Sequence, residues 1–329
     1  MVLNFKGLPA LLKALPDDAA ARHFLEAKRW DGCPTCPFCQ SNHYYKLKDG
    51  KRYRCGNKDC RKDYTVTTGT FFESTKKDLH LWIAAMYLMS SHKKGISSCQ
   101  LAKDINVTQR TAWFMLHRMR GVMKPKTPIK LEGIIESDET YMSRKFRTDM
   151  SHLSPEERKW RLAAKNTSSN KGMVLGLVAR KGNVVVKVFD STNGDKIKKH
   201  VKEVVAKNSW LFTDGANHYK EGLEDYKHDS VIHSRREYVR GDVHTNNIEN
   251  FWGVMKRGIY GIYHQVSYKH LQAYCEEYAF RYNNRGIKDY ERFELSLSKP
   301  EGRLKYKHLI HGKPKEENND NHKEESEWE

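Results

Sequence analysis

Hydrophobic residues along this chain change their period several times, and each change predicts a change of element. Between Leu8 and Trp30 they recur at helical spacing, Leu11, Leu12 and Leu15 followed by Phe24, Leu25 and Trp30, which predicts one or two short amphipathic helices with Pro9 near a start. From Gly32 to about Thr70 the helical period disappears, and the stretch is polar, aromatic and cysteine-bearing. Leu79 to Met123 is helical again until Lys124-Pro125-Lys126-Thr127-Pro128, where two prolines stop the helix and restrain the chain. Beyond Leu131 the pattern predicts a strand over 133–141, a basic polar stretch over 143–171, and strands at Met173–Ala179 and Val184–Phe189. A helix at about 195–206, strands at 210–213 and 230–232, and closing helices at about 246–257 and 267–284 complete it. Hairpin-like strands followed by strand–helix alternation imply a mixed sheet with helices on its faces.

The expected organisation is an α/β multidomain chain. It has an N-terminal helical segment (1–31), a cysteine-bearing ribbon (32–72), a helix-turn-helix (73–123), a linker (124–132), a mixed-sheet domain (133–300) and a charged, core-less, disordered tail (301–329).

Charge narrows the class of partner. The chain carries 59 Lys+Arg against 41 Asp+Glu, a net +18. Residues 313–329 hold seven acids and three bases, so the rest of the chain is four charges more basic than the total. So basic a body points to a polyanion, of which nucleic acid is the usual one. No apolar run approaches the roughly 18 residues of a membrane span, and the N-terminus lacks the layout of a signal peptide. Seven cysteines, four of them in two close pairs, point to reduced cytoplasm and metal rather than to disulfides.

Those pairs are Cys36-Pro37-Phe38-Cys39 and Cys55-Gly56-Asn57-Lys58-Asp59-Cys60, separated by 15 residues. Each forms a short knuckle, and four thiolates close a tetrahedral structural Zn²⁺ site, without which a segment so poor in aliphatics would scarcely fold. Cys33 also pairs with Cys36 by spacing; the Pro-containing turn favours Cys36 and Cys39, leaving Cys33 spare. Cys99 and Cys275 fall in helical patterns and are expected to be buried packing residues. Downstream, Ile96 to Trp113 reads as a helix-turn-helix, with Ser97 capping the first helix and Thr108 the second. Gln109, Arg110 and Arg118 would then face DNA; the alternative is an ordinary helical hairpin.

Three acids carry the candidate chemistry. Asp138 and Asp214 each close an apolar run, and Glu249 lies on the helix opened by His244-Thr245-Asn246-Asn247. Two strand-end aspartates and a helix glutamate make a cage of hard oxygen ligands suited to two Mg²⁺ or Mn²⁺ ions. Each acid has a rival reading. Glu136 and Glu139 compete with Asp138; Glu136 shares its strand face and Glu139 takes the opposite one. Asp190 competes with Asp214, whose Asp-Gly dipeptide also suits a turn. Glu249 would complete a capping box if Asn246 were the N-cap. Against that, Ile248, Phe251, Trp252, Met255 and Ile259 form an apolar stripe, and Lys256 sits two turns beyond Glu249, placed to hold a DNA phosphate.

Several segments appear in order: Cys36-Pro37-x-Cys39, Thr68-Gly69-Thr70-Phe71, Ala112 to Arg120, Asp138-Glu139-Thr140-Tyr141, and His244-Thr245-Asn246-x-x-Glu249-x-Phe251-Trp252 leading to Lys256-Arg257-Gly258-Ile259-Tyr260-Gly261. Together they resemble the zinc-ribbon DDE transposases of bacterial insertion sequences, the ISXO-type family, over about residues 8–290. The 34 residues between Asp214 and Glu249 agree with that family's spacing. The resemblance implies an RNase H-like core and Mg²⁺-dependent cleavage and strand transfer at an element's terminal inverted repeats. Asp138, Asp214 and Glu249 would be the triad, Lys256 its helper, and Lys256 and Arg257 DNA contacts; Asn246 is the alternative third ligand. It further implies double-stranded DNA as partner (both repeats and target), a homo-oligomer on DNA, and a bacterial cytoplasmic, nucleoid-associated setting. The rival class is a non-catalytic or domesticated DNA-binding regulator, whose sign would be a lost acid. Where relatives carry Gly-Gly-Lys after the tyrosine, this chain has Met142-Ser143-Arg144-Lys145.

Overall fold

A computed structural model describes residues 5, 7–144, 154–164, 171–189, 193–214, 222–231, 237, 239–298 and 302–311. Helices α1 (Leu8–Ala14) and α2 (Asp18–Trp30) open the chain, and the Asp17 carboxylate caps α2 by accepting from the Ala20 N–H at 2.8 Å. A three-stranded antiparallel ribbon follows, β1 (Tyr44–Lys46), β2 (Tyr53–Cys55) and β3 (Asp63–Tyr64). It seats on α2 through aromatic edges, the Trp30 ring lying 5.1 Å from Tyr53 and 5.9 Å from Tyr64.

Helix α3 (Leu79–Ser91) is buried on every side from Trp82 to Ser90, which makes it the centre of the N-terminal bundle. Helices α4 (Ser98–Asp104) and α5 (Gln109–Met123) meet across a short turn in which Asn106 adopts φ 50°. Both expected caps form: Ser97 Oγ accepts from the Gln100 N–H at 3.1 Å, and Thr108 Oγ1 from the Thr111 N–H at 3.3 Å.

The second half is an α/β unit built on a five-stranded mixed sheet. Its strands are β4 (Ile134–Arg144), β5 (Lys171–Ala179), β6 (Val184–Phe189), β7 (Trp210–Thr213) and β8 (Lys227–Ser230), in spatial order β6-β5-β4-β7-β8. β4, β5 and β6 run antiparallel, whereas β7 and β8 run parallel to β4. Helix α7 (Gly194–Val204) covers one face, Ile197, Val201 and Val204 packing on Ile135, Leu175, Leu177 and Leu211. The other face takes α8 (Asn246–Gly258) and α9 (Tyr268–Asn283) on Val174, Val178 and Val186. Gly176, opposite Asp138 in the register, admits α8; a Cβ there would lie 2.6 Å from both Ile248 and Trp252.

Most expected elements recur with small shifts, β4 running on to Arg144, but the strand expected at 230–232 instead occupies Lys227–Ser230 and shares only Ser230 with that range. The basic stretch holds a helix, α6 (Pro155–Ala164), and a short hairpin, β9 (Val239–Arg240) with β10 (Val243–His244), precedes α8. Helix α10 (Asp289–Leu297) is also additional, and its Phe293 and Leu297 enter the N-terminal core rather than that of the sheet. Helix α11 (Tyr306–His311) lies within the segment expected to be a structureless tail, which corrects that reading for these residues. Asp190 and the acidic end after His311 lie outside the described residues. Cys275 is buried as expected, but Cys99 is exposed, because α4 turns that position away from the bundle. No described helix is long and apolar enough to cross a membrane.

Candidate active site and zinc centre

The ribbon brings Cys36, Cys39, Cys55 and Cys60 together with all four sulfurs within 4.8 Å of one another. The Cys36–Cys60 and Cys39–Cys55 sulfurs are 3.8 and 3.4 Å apart. A tetrahedral Zn–S distance of about 2.3 Å requires sulfurs about 3.8 Å apart, so the donor set fits one zinc. Each knuckle closes on a left-handed residue, Gln40 (φ 61°) after Cys39 and Arg61 (φ 45°) after Cys60, which turns the chain back around the sulfurs. A backbone hydrogen bond at Ser41 draws the Cys39 thiol down to about 7, while burial pushes Cys55 up to about 12. Cys33 is exposed and outside the cluster, as its status as the spare cysteine required.

The acidic site follows from strand register. β4 and β7 are parallel neighbours paired through Glu136 and Phe212, so Asp138 and Asp214 each lie two residues beyond that pair. A period of two returns both side chains to one face, just past the end of β7. Their carboxylates, with that of Glu139, all lie within 4.8 Å of one another. Burial and the charges of Glu139 and Asp214 push the Asp138 carboxyl up to about 7. Such mutual repulsion is what a divalent cation relieves.

Glu139 corrects an expectation. Its position in the strand points to the opposite face, yet its carboxylate joins the group. Described pairing between β7 and β4 stops at Glu136, three residues before Glu139. Glu249 is not within that group among the described residues. It is exposed on α8, one turn before Trp252, and accepts from Thr245 Oγ1 at 3.0 Å. Trp252 Nε1 donates to Asp138 Oδ2 at 3.0 Å and so ties α8 to the first aspartate. The capping-box alternative does not form: α8 starts at Asn246, and Thr245, not Asn246, occupies the N-cap position without a side-chain cap bond. Asn246 and Arg257 are exposed and Lys256 is half-buried, one turn beyond Trp252.

Glu136, considered in the sequence only as a competitor of Asp138, is fully buried and points at the first turn of α8. Its partners on α8 are more than a hundred residues away, so no local pattern signals them.

The three residues expected to face DNA fare unevenly. Gln109 is exposed and its Nε2 donates to Ser98 Oγ at 2.8 Å. Arg110 donates to the Tyr306 hydroxyl at 2.5 Å and lies over that ring. Arg118, expected on a DNA-facing surface, is 4 % exposed; its guanidinium donates to the Leu304 and Glu73 carbonyls at 3.1 and 2.9 Å, so it is committed to packing.

A mixed five-stranded sheet that brings two aspartates of neighbouring strands together, preceded by a four-cysteine ribbon, fits the class of proteins that join a zinc ribbon to a nuclease-like core. Comparison with known families gives the particular one. Residues 130–283 match the ISXO2-like transposase domain and residues 16–63 the transposase zinc-ribbon domain. Both matched domains are those of insertion-sequence transposases. The chain is also 24 % identical over 277 residues, covering 82 % of this chain and 92 % of the relative, to an uncharacterized protein in transposable element ISH50 of Halobacterium salinarum.

Proposed function

We propose that this protein is the transposase of an insertion sequence: it binds the element's terminal inverted repeats and catalyses strand cleavage and strand transfer. The observation that carries the reading is the meeting of Asp138, inside β4, and Asp214, just beyond the end of its parallel neighbour β7, beside the helix that bears Glu249 and Lys256. The strand order, three antiparallel strands followed by two parallel ones, supports an RNase H-like core.

Asp138 and Asp214 would hold divalent metal, with Glu249 as third ligand. When bound, two Mg²⁺ or Mn²⁺ ions orient the attacking oxygen and neutralise charge at the scissile phosphate. The chain's own residues do the rest. Trp252 fixes one oxygen of Asp138 and leaves the other to face the site. Lys256 and Arg257, beyond Glu249 on α8, hold the phosphates of the strand being cut. Cys36, Cys39, Cys55 and Cys60 bind one structural zinc. The α4–α5 pair acts as the DNA-binding helix-turn-helix, with Gln109 and Arg110 at the start of its recognition helix. The active species is a homo-oligomer on DNA, and its site of action is the cytoplasm.

The grouping of Glu139 with the two aspartates favours a specific second assignment, in which Glu139 supplies the third carboxylate. Alanine variants decide between them. Asp138→Ala and Asp214→Ala should each abolish Mg²⁺-dependent cleavage of a repeat-end duplex while binding stays within a few-fold, because the ligands stabilise the transition state and not the bound duplex. Loss in Glu249→Ala with retention in Glu139→Ala assigns Glu249; the reverse assigns Glu139. Retention in both, with loss in Asn246→Ala, moves the ligand to Asn246. Full cleavage by Asp138→Ala would sink the reading.

A further inference from the structure

Helix α8 carries the third candidate ligand and the phosphate-binding cations, so its placement against β4 sets the geometry of the site. A helix start leaves several backbone N–H groups unpaired, and a side chain at the N-cap ordinarily accepts from one of them. Here Thr245 does not; its hydroxyl donates to Glu249 instead. The acceptor comes from the sheet. Glu136 Oε2 accepts from the Asn247 and Ile248 N–H groups at 2.7 and 3.2 Å, and Oε1 from Asn247 Nδ2 at 2.7 Å. Arg180 Nε donates to the same Oε1 at 2.8 Å, and His244 Nδ1 lies 3.3 Å from it. Arg180 also donates to the Asp242 and His244 carbonyls at 2.7 and 3.2 Å, so the hairpin that leads into α8 is held by the same ion pair.

Glu136 and Asp138 are alternate residues on one face of β4, and both bond α8: the first at its opening turn, the second at Trp252. Glu249 lies between those two attachments. We infer that Glu136 is a positioning residue: a buried carboxylate that staples the start of α8 to β4 and so sets the distance between the α8 ligand and the aspartates. This rests on the transposase reading above. The staple is independent of Asp138, whose bond to Trp252 involves an oxygen adjoining the metal position. An acid at Glu136 fits four converging donors; an amide would set its own N–H₂ against one of them.

The test uses the full chain with Glu136→Gln and Asn247→Ala, and Asp138→Ala as the metal-binding control. Amide hydrogen exchange at Asn247 and Ile248, Mg²⁺ binding by calorimetry, repeat-end binding and Mg²⁺-dependent cleavage are measured. In Glu136→Gln, exchange at those two amides should accelerate at least tenfold. The Mg²⁺ concentration for half-maximal cleavage should rise several-fold and kcat fall at least tenfold, with end binding unchanged within about threefold. Asn247→Ala, which strips one bond and strands no buried charge, should shift the Mg²⁺ requirement the same way by a smaller factor. Should Glu136→Gln fail to fold, Asn247→Ala decides alone: an unchanged Mg²⁺ requirement overturns the inference. Normal Mg²⁺ affinity and cleavage in folded Glu136→Gln also overturns it, as does a loss that only tracks DNA binding. A wild-type chain that cuts no DNA sinks the transposase reading instead, and equal Mg²⁺ affinity in wild type and Glu136→Gln would then still refute the staple.

Discussion

His117 is buried against the rings of Trp113, His270 and Tyr274, at centroid distances of 4.5, 4.6 and 5.5 Å, and its Nε2 makes no hydrogen bond. Burial and then the charge of Arg120 drag its pKa from 6.5 down to about 2; the same effects, with Lys269 ahead of Arg120, take His270 to about 4. The sign follows from linkage. Below 6.5 the unfolded chain takes up these protons and the folded one refuses them, so stability is complete above that pH and falls as the pH drops toward the folded values. Each histidine costs about 1.4 kcal/mol per pH unit within its window. His117→Gln should therefore flatten the loss of stability between pH 6.5 and 4.5 by about one proton, leaving the contribution of His270. Urea midpoints at those two pH values measure it, and an unchanged slope would show that His117 is protonated in the folded state.

Among the elements, the ribbon is the one whose stability depends most on something other than its own core. Its three strands have three, three and two residues, and its buried apolar content is mostly aromatic. Chelation of zinc, or Cys36→Ser with Cys39→Ser, should unfold residues 32–70 and weaken repeat binding, and purified protein should contain about one zinc per chain. Metal analysis of material that binds DNA normally is the check; an absence of zinc would remove the metal from the fold. This element was legible in the sequence because only two and four residues separate the cysteines of each pair, so chain geometry alone forms each knuckle. The caps Ser97 and Thr108 were legible for the same local reason. What the sequence hid is the information that crosses the chain. The alternation rule placed Glu139 on the opposite face and so outside the acidic group, since it says nothing of how far a side chain reaches. Glu136 meets its α8 partners 111 residues away, and Arg118 meets Leu304 at a separation of 186, distances over which no periodicity speaks.

On the scale of the molecule, the N-terminal bundle and the sheet domain are bound by buried charge and by the returning C-terminal segment. Arg120 of α5 donates to Glu277 of α9 at 2.6 Å with both side chains fully buried, and Arg281 reaches from α9 to the Met89 carbonyl at the end of α3 at 2.8 Å. Any movement of α5 is thereby coupled to α9, which packs directly on the sheet that carries the aspartates. Residues 302–311 lie along α5 itself. Arg303 donates to Glu73 at 3.0 Å, Leu304 accepts from Arg118, and Tyr306 packs its ring 5.3 Å from Phe114 while accepting from Arg110. The segment thus takes up Arg110, at the opening of α5, and the acid-rich residues 313–329 continue from it. A chain ending at Gly312 should bind any duplex more tightly, since removal of a net −4 raises the phosphate-binding charge, with the gain shrinking as salt rises. A chain ending at Gly302 should gain in addition a preference for repeat ends over random DNA, because Arg110 is released, and Arg110→Ala in that shortened chain should cancel the added preference by about 1–3 kcal/mol. Competition binding at fixed salt separates the two effects. Equal end preference in the two shortened chains would show that Tyr306 does not hold Arg110 away from DNA, and that α5 reads sequence, if at all, through other side chains.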